Sequence, residues 1–273
     1  MLRRVLYLTV IAGVGLALAG CAFTFFGAER RAAWRDQEER ACMGRREVVA
    51  SAFVTPVRRV NERGACGISR PLKVSAMTGG RVRIGPTATL NCPMTAAVEG
   101  WLANAVQPAA FAWFGAPVVE INQISSYACR SKNNQRGESL SEHAFGNAID
   151  VAGFRLANGR TVTVKGDWNG DINARSFLRE VFAAACQQFR TVLGPGVAYH
   201  GDHFHLDLAH HGRDGDMRYC RPQPDGLPPL RPPVPGGDLI ARGRGIIDWT
   251  VTGSIGRGPA AEIGDTAAGF TDD

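Results

Sequence analysis

The stretch that decides the fold occupies residues 141–150 and reads SEHAFGNAID. His143 and Asp150 are seven positions apart, and a continuous helix would separate them by about 10.5 Å along its axis. A continuous strand would separate them further. Neither arrangement lets both side chains bind one metal ion, whose ligands lie at roughly 2 Å from it. If they share a metal, the chain must turn between them, and Gly146 and Asn147 tolerate such a turn.

Asp150 lies inside an apolar segment that is predicted to be a strand. Ile149 and Val151 flank it, and a carboxylate buried in such a strand needs a partner. A zinc ion would provide one, and an ion pair with an arginine would provide another.

The surrounding pattern predicts an α+β domain. β-branched and alternating segments predict the strands, and apolar residues at helical spacing predict the helices. The predicted strands cover residues 118–127, 148–154, 161–164 and 197–208, and the predicted helices cover residues 92–106 and 173–192. Asn158-Gly159 indicates a hairpin turn between the second and third strands. We expect a small, mostly antiparallel sheet with flanking helices.

A second histidine-rich stretch occupies residues 199–207 and reads YHGDHFHLD. In a strand, residues two apart share a face, so His203 and His205 should point the same way, about 7 Å apart. One of them could bind a metal while the other contacts a substrate. Isolated pairs of this kind are also common in structural and surface positions, so this pattern alone leaves both roles open.

The cysteines indicate the compartment. The chain has seven, and Cys21 ends the apolar N-terminal stretch. The other six could form up to three disulfides, which is typical of an oxidising compartment. The sequence does not choose among the possible pairings.

The N-terminus has the features of an export signal. Residues 1–20 combine a basic start, an apolar stretch and small residues. Leu18-Ala19-Gly20-Cys21 resembles a bacterial lipobox, in which the cysteine carries the lipid. An uncleaved signal anchor with an incidental cysteine is the alternative. We expect a lipid anchor at the periplasmic face of a bacterial membrane, and Ala22 favours the outer membrane.

The rest of the chain divides into three parts. Residues 21–41 are expected to be a juxtamembrane spacer, residues 42–220 the folded domain, and residues 221–273 a disordered tail rich in Pro and Gly. The net charge is +6 without a long run of like charges, so we expect no nucleic-acid binding. A mildly basic exterior suits an anionic polymer such as peptidoglycan.

The combined motifs resemble known zinc peptidases. Ser-x-His-x-x-Gly-x-x-x-Asp over residues 141–150, followed by His203-x-His205, is similar to D-alanyl-D-alanine carboxypeptidases, penicillin-insensitive murein endopeptidase and the hedgehog signalling domain. Residues 126–131 look like the Ser-Gly-Tyr-Arg-Ser segment of those carboxypeptidases, with one inserted residue. Residues 125–150 and 202–205 also look like the extensin-like C-terminal domain family of bacteria. The resemblance covers about residues 42–220 and implies a hedgehog/DD-peptidase-like fold, here stapled by disulfides.

This resemblance implies a zinc site formed by His143, Asp150 and His205. Three protein ligands leave a fourth position for water, which the zinc would acidify while it polarises the scissile carbonyl. His203 would stabilise the oxyanion. We expect the donor atoms of the three ligands to lie within about 4 Å of each other, near a cleft, even without metal.

Two residues compete for the role of general base. The carboxypeptidases have a glutamate three residues before the last ligand, where this chain has the shorter Asp202. The endopeptidase pattern resembles His-x-x-His-x-His instead, which matches His200. Asp202 is the preferred base, and it could alternatively orient a ligand histidine.

Other residues near the motifs have weaker signals. Arg130 and Ser126 are candidate substrate contacts, although each could equally be an ordinary surface or packing residue. Glu142, His210 and His211 are expected to be exposed.

The leading interpretation is a zinc peptidase that hydrolyses an amide bond in peptidoglycan stem peptides or cross-links. An endopeptidase is preferred over a carboxypeptidase. The alternative is an envelope lipoprotein that contains zinc or binds peptidoglycan without catalysis. A third reading, purely structural histidines, predicts no bound metal.

Overall fold

The computed structural model describes residues 31–62 and 64–224. The predicted signal at residues 1–20, the predicted lipidation site Cys21 and nearly all of the predicted tail at 221–273 lie outside the described residues. Within the described ranges, no helix is both long and apolar enough to cross a membrane.

Nine strands form one sheet, and two further strands pair separately within the described part of the chain. The strands are β1 (Val54–Pro56), β2 (Val60–Asn61), β3 (Gly67–Ile68), β4 (Leu72–Met77), β5 (Val82–Leu90), β6 (Val118–Ser125), β7 (Ala148–Leu156), β8 (Thr161–Thr163), β9 (Thr191–Leu193), β10 (Phe204–Asp207) and β11 (Tyr219–Arg221). The order across the large sheet is β1-β4-β5-β6-β7-β10-β9-β11, and β8 pairs with the second half of β7. Neighbouring strands are antiparallel except for β5–β6 and β9–β11.

The α+β class and the mostly antiparallel sheet are therefore confirmed. The sheet is larger than the small one predicted, because it also contains β4 and β5, which lie outside the predicted strands, and β1, β9 and β11, which have three residues each. Strands this short show no recognisable alternation in the sequence.

The helices flank this sheet. They are α1 (Ala33–Gly44), α2 (Cys92–Trp101), α3 (Gln107–Phe114), α4 (Val164–Asp167) and α5 (Ile172–Gln188). Asn91 caps α2, where its side chain accepts a hydrogen bond from the Met94 amide. The predicted end of this helical region at residue 106 is too early, because a π-helical turn at Leu102–Val106 leads directly into α3. Such a turn can accommodate Pro108, which lacks an N–H group and crowds the preceding turn.

The predicted helix at 173–192 ends earlier than expected. Phe177, Val181, Ala185 and Phe189 are buried on one stripe, as the spacing predicts. However, the chain leaves the helix after Gln188 and pairs with β10 as strand β9. Apolar residues suit either state, and here pairing in the sheet decides between them.

The predicted strand at 197–208 is also too long. Only Phe204–Asp207 is a strand, since Gly194-Pro195-Gly196 starts a series of turns and Tyr199 takes a left-handed conformation with φ 68°. His203 therefore lies immediately before β10 rather than within it. The strand predicted at 118–127 ends at Ser125.

An aromatic core supports the strand that carries Asp150. The ring centroids of Trp101 and Phe154 are 5.9 Å apart, and those of Phe154 and Phe177 are 5.2 Å apart. The Trp101 indole N–H donates to the Val181 carbonyl at 2.9 Å, so its polar atom is satisfied. Helices α2 and α5 thus pack tightly against β7 and hold it in place.

Three disulfides connect the elements, as the even number of remaining cysteines predicts. Cys42–Cys92 joins α1 to α2, Cys66–Cys129 joins the loops that precede and follow the central strands, and Cys186–Cys220 joins α5 to β11. Each closes a long loop, which in the chain-entropy view stabilises the fold by about 3–4 kcal/mol.

Residues 31–41, the second half of the predicted spacer, pack against the domain. Glu39 of α1 is fully buried and forms an ion pair with Arg31. Its second oxygen accepts a hydrogen bond from the Arg70 amide at 2.8 Å. Within the described residues, the packed part of the chain therefore extends to residue 31.

Candidate metal centre

Two neighbouring strands bring Asp150 and His205 together. β7 and β10 are antiparallel, and His205 lies directly opposite Asp150 in their register. Side chains that face each other across such a pair are about 5 Å apart at Cβ. His205 Nδ1 lies 2.9 Å from Asp150 Oδ1.

A tight turn brings His143 to the same place. Residues Glu142–Phe145 form a 3₁₀ turn that Ser141 caps and that ends at Gly146 in the left-handed region with φ 60°. A Cβ on Gly146 would collide with the Ile68 side chain, so this position requires glycine. The chain turns between His143 and Asp150, where the spacing argument requires it.

The three predicted ligands converge. His143 Nε2 lies 3.2 Å from Asp150 Oδ2 and 3.3 Å from His205 Nδ1. Each pair of residues thus has donor atoms closer than 4 Å, and with one donor atom taken from each residue the three lie within 4.8 Å. Their residues are 0%, 4% and 9% exposed for His143, Asp150 and His205. Two imidazoles and one carboxylate form a donor set that suits zinc.

In His143 and in His205, the second ring nitrogen donates a hydrogen bond to an acceptor outside the three-residue cluster. His143 Nδ1 donates to the Ser126 carbonyl at 2.5 Å, and His205 Nε2 donates to Asp207 Oδ2 at 2.9 Å. Such partners orient a ligand histidine so that its other nitrogen faces the metal.

The electrostatics of the cluster favour charge separation in the metal-free protein. Burial opposes ionisation of Asp150, but the charge and hydrogen bonds of His143 and His205 outweigh it and hold its pKa far below the usual range. Burial likewise opposes protonation of His205, yet hydrogen bonds to Asp150 and Asp207 raise its pKa to about 10. Zinc binding through Nδ1 would therefore displace a proton.

His203 stands beside the cluster with Asp202 behind it. His203 Nε2 lies 3.8 Å from Asp150 Oδ1, whereas its Nδ1 lies 2.7 Å from Asp202 Oδ1. Asp202 therefore lies on the far side of the imidazole ring, and its side chain is 54% exposed. The hydrogen bond from His203 lowers the pKa of Asp202. Asp202, the preferred base, thus faces His203 rather than the cluster.

His200 faces the cluster more directly. Its ring centroid lies 5.8 Å from that of His205 and 5.2 Å from that of His203. Its Nδ1 is bonded to the Ala198 carbonyl at 2.7 Å, which leaves Nε2 unused by that bond. Burial lowers the pKa of His200, so the ring is neutral at neutral pH and can accept a proton.

The two candidate substrate contacts differ in position. Arg130 lies 3.8 Å from Asp150 Oδ2 and is 24% exposed, so its guanidinium is accessible beside the cluster. Ser126 Oγ accepts a hydrogen bond from the Thr89 amide at 3.1 Å, and its carbonyl orients His143. Through these two contacts, Ser126 supports the structure of the site.

The expected exposure is wrong for Glu142 and His211 and is confirmed for His210. The Glu142 side chain is 11% exposed because Arg35 binds both carboxylate oxygens. His210 is 34% exposed and stacks on Trp34. His211 is half-buried. Sequence reasoning missed these contacts because each partner lies more than 100 positions away in the chain.

The cluster opens into a cleft of about 900 Å³. One wall comes from residues 130–141 and another from the turns around Tyr199 and His200. Arg35 and Arg130 line it together with His200, His203 and His205. Ligand-binding clefts commonly have this size, and a few converging polar groups are typical of them.

No match was found among curated proteins. Residues 40–221 match the family described as Extensin-like protein C-terminus. The match spans more than half of the chain and contains His143, Asp150, His200, His203 and His205. The chain therefore belongs to the extensin-like C-terminus family.

Proposed function

We propose that this chain is a zinc-dependent peptidase that hydrolyses an amide bond in peptidoglycan stem peptides or cross-links. The observation that carries the proposal is the convergence of His143, Asp150 and His205, whose closest donor atoms are 2.9–3.3 Å apart. Three protein ligands suit a catalytic rather than a structural zinc, because a fourth position stays open. Bound there, zinc would acidify a water molecule and polarise a carbonyl.

Two further histidines would supply the proton chemistry. His200 is the better placed general base, since burial keeps it neutral and its ring lies next to His205. His203 would donate a hydrogen bond to the developing oxyanion through Nε2, the ring nitrogen that faces Asp150.

The charge of the cleft supports an anionic peptide as substrate. Arg130 is partly accessible beside Asp150, and Lys132 lines the same wall. Peptidoglycan stem peptides carry free carboxylates, which such cations would bind. The His200-x-x-His203-x-His205 pattern favours endopeptidase over carboxypeptidase activity.

The proposed location is the periplasmic face of a bacterial membrane, through a lipid on Cys21. Three disulfides support an oxidising compartment, and the N-terminal lipobox-like sequence supports the anchor.

Purified protein incubated with isolated peptidoglycan tests this proposal. We expect release of muropeptides, detected by mass spectrometry, that stops with a chelator and resumes with added zinc. His205→Ala should abolish release, while Asp214→Asn, at an exposed position, should not affect it. Cleaved cross-links indicate an endopeptidase, and free D-alanine indicates a carboxypeptidase. Zinc binding without any product would favour the non-catalytic lipoprotein, and absence of bound metal would overturn the zinc site itself.

A further inference from the structure

The segment before the family match contacts the candidate metal centre. We call residues 31–39 the N-terminal strap. They include most of α1, whereas the family match begins at residue 40. Ala32 and Arg35 of the strap line the same cleft as Asp150 and His205, two of the three proposed zinc ligands.

Arg35 binds the residue next to a ligand. Its two terminal nitrogens lie 2.6 and 2.7 Å from the two carboxylate oxygens of Glu142, which directly precedes His143. The two side chains are 10% and 11% exposed. Its guanidinium carbon also lies 3.7 Å from the ring centroid of Phe145, in the same 3₁₀ turn. A two-pronged, partly desolvated contact of this kind fixes orientation strongly.

Glu142 connects Arg35 to the residue that follows the turn. Its Oε2 also accepts from Asn147 Nδ2 at 2.7 Å, and its main-chain carbonyl accepts from the Asn147 amide at 3.1 Å. The Glu142 carboxylate thus links the beginning of the turn that contains His143 to its end.

The strap also holds the loop that follows β10. Trp34 stacks on His210 with ring centroids 3.8 Å apart and planes 10° apart, and Glu38 accepts from His210 Nε2 at 2.8 Å. His210 follows Asp207, the partner of His205, by three residues. One short segment therefore contacts the loops next to two of the three ligands.

Of the three proposed ligands, His143 depends most on contacts with other segments for its position. Asp150 and His205 lie on paired strands, where ladder hydrogen bonds fix them. His143 lies in a 3₁₀ turn, whose geometry depends on the contacts it makes with neighbouring segments.

We propose that the N-terminal strap sets the position of His143 for metal binding, with Arg35 as the positioning residue. This inference rests on the proposed zinc site. It concerns a segment outside the family match and gives it a role in the site rather than only in tethering the chain.

The test compares Arg35→Met with Arg40→Met in the full-length protein. Methionine keeps the packing of the side-chain stem but not the charge, and Arg40 is an exposed residue on the same helix. We expect Arg35→Met to raise the zinc dissociation constant about tenfold, measured by competition with a chromogenic chelator. Arg40→Met should match the wild type. Arg35→Lys, which keeps the charge but loses the fork, should fall between.

Hydrogen exchange in the metal-free protein separates positioning from general destabilisation. Arg35→Met should speed exchange at the Ala144, Gly146 and Asn147 amides, which bond within the turn, and leave β7 protected. Glu142→Gln should weaken zinc binding by a similar factor, and the double variant should be no weaker than either single one.

The outcomes distinguish this inference from the proposed function. A wild type that takes up no zinc overturns the proposed function, and the strap's role with it. A wild type that binds zinc, with Arg35→Met equal to it, overturns the strap alone. Faster exchange in the turn with unchanged zinc affinity also overturns it, because the order of the turn would then not matter to the site.

Discussion

Asp150 and His205 lie directly opposite each other on β7 and β10, and the carboxylate Oδ1 lies 2.9 Å from the imidazole Nδ1. Two strands that are distant in the sequence therefore fix one carboxylate and one imidazole in a buried position. Any ion bound between them would need little rearrangement of the backbone.

Asp150→Asn should reduce zinc affinity at least 100-fold, because the amide replaces an anionic ligand with a neutral one. The metal content of the purified variant and chelator competition measure this. Asp216→Asn, at an exposed position, is the matched control. Retention of near wild-type zinc affinity by Asp150→Asn would show that Asp150 is not a ligand.

Asp207→Asn should weaken zinc binding about 10- to 100-fold without removing a ligand. Asp207 accepts hydrogen bonds from both His205 Nε2 and the Ala209 amide at 2.9 Å. Asparagine can accept only one of them well, since its other terminal atom is a donor. The same competition titration, together with circular dichroism to verify folding, checks this. An affinity equal to the wild type would exclude an orienting role for Asp207.

The metal-free protein should lose stability between about pH 6.5 and pH 10. Its bonds to Asp150 and Asp207 raise the pKa of His205 to about 10, above the ordinary value of about 6.5. The stabilisation is therefore fully present below about pH 6.5 and is lost as pH rises through the folded-state pKa. Urea unfolding with a chelator at pH 6.5 and pH 9 measures it. His205→Gln should remove this pH dependence, and an unchanged dependence in that variant would assign it to another group.

Gly146→Ala should destabilise the protein by about 2–4 kcal/mol, from left-handed strain and overpacking against Ile68. Gly159→Ala is the control, because Gly159 also has positive φ but a Cβ there meets nothing within 4 Å. Gly159→Ala should lower the free energy of unfolding by about 1–2 kcal/mol. Denaturant unfolding of both variants gives the comparison, and equal losses would contradict the packing argument.

His200→Ala should lower kcat about 100-fold or more, as expected for removal of a general base. Asp202→Asn should lower kcat less, because Asp202 bonds to His203 Nδ1 and does not face the cluster. The pH profile of kcat/KM on a cross-linked muropeptide should also lose its acidic limb in His200→Ala only. A larger loss in Asp202→Asn would return the base role to Asp202.

The convergence of His143, Asp150 and His205 could be predicted from the resemblance to zinc peptidases, because the motifs that carry the resemblance are local. The turn at Gly146, the apolar strand around Asp150 and the histidine pair before Asp207 each lie within ten residues. The domain class followed from the same periodicities. The short strands β1, β9 and β11 could not be predicted, because three residues carry too little pattern.

The positions of Asp202 and His200 relative to the cluster could not be predicted for a different reason. Both lie in the turns before β10, where the left-handed Tyr199 redirects the side chains that follow. The sequence suggests a continuous strand there, which would orient these residues differently. The environment of Glu142 depends on Arg35, which is 107 positions away, and no local pattern reports such a contact.

The residues that meet around the candidate metal centre are far apart in the sequence, and this has a consequence for the synthesis and folding of the chain. Arg35 meets Glu142 across 107 positions, and Asp150 meets His205 across 55. Closing the long loops between such residues costs conformational entropy. A chain that has been synthesised only as far as β9 lacks His205, one of the three proposed ligands. Bound zinc would therefore mark finished molecules, and its binding free energy would stabilise the whole domain rather than one loop.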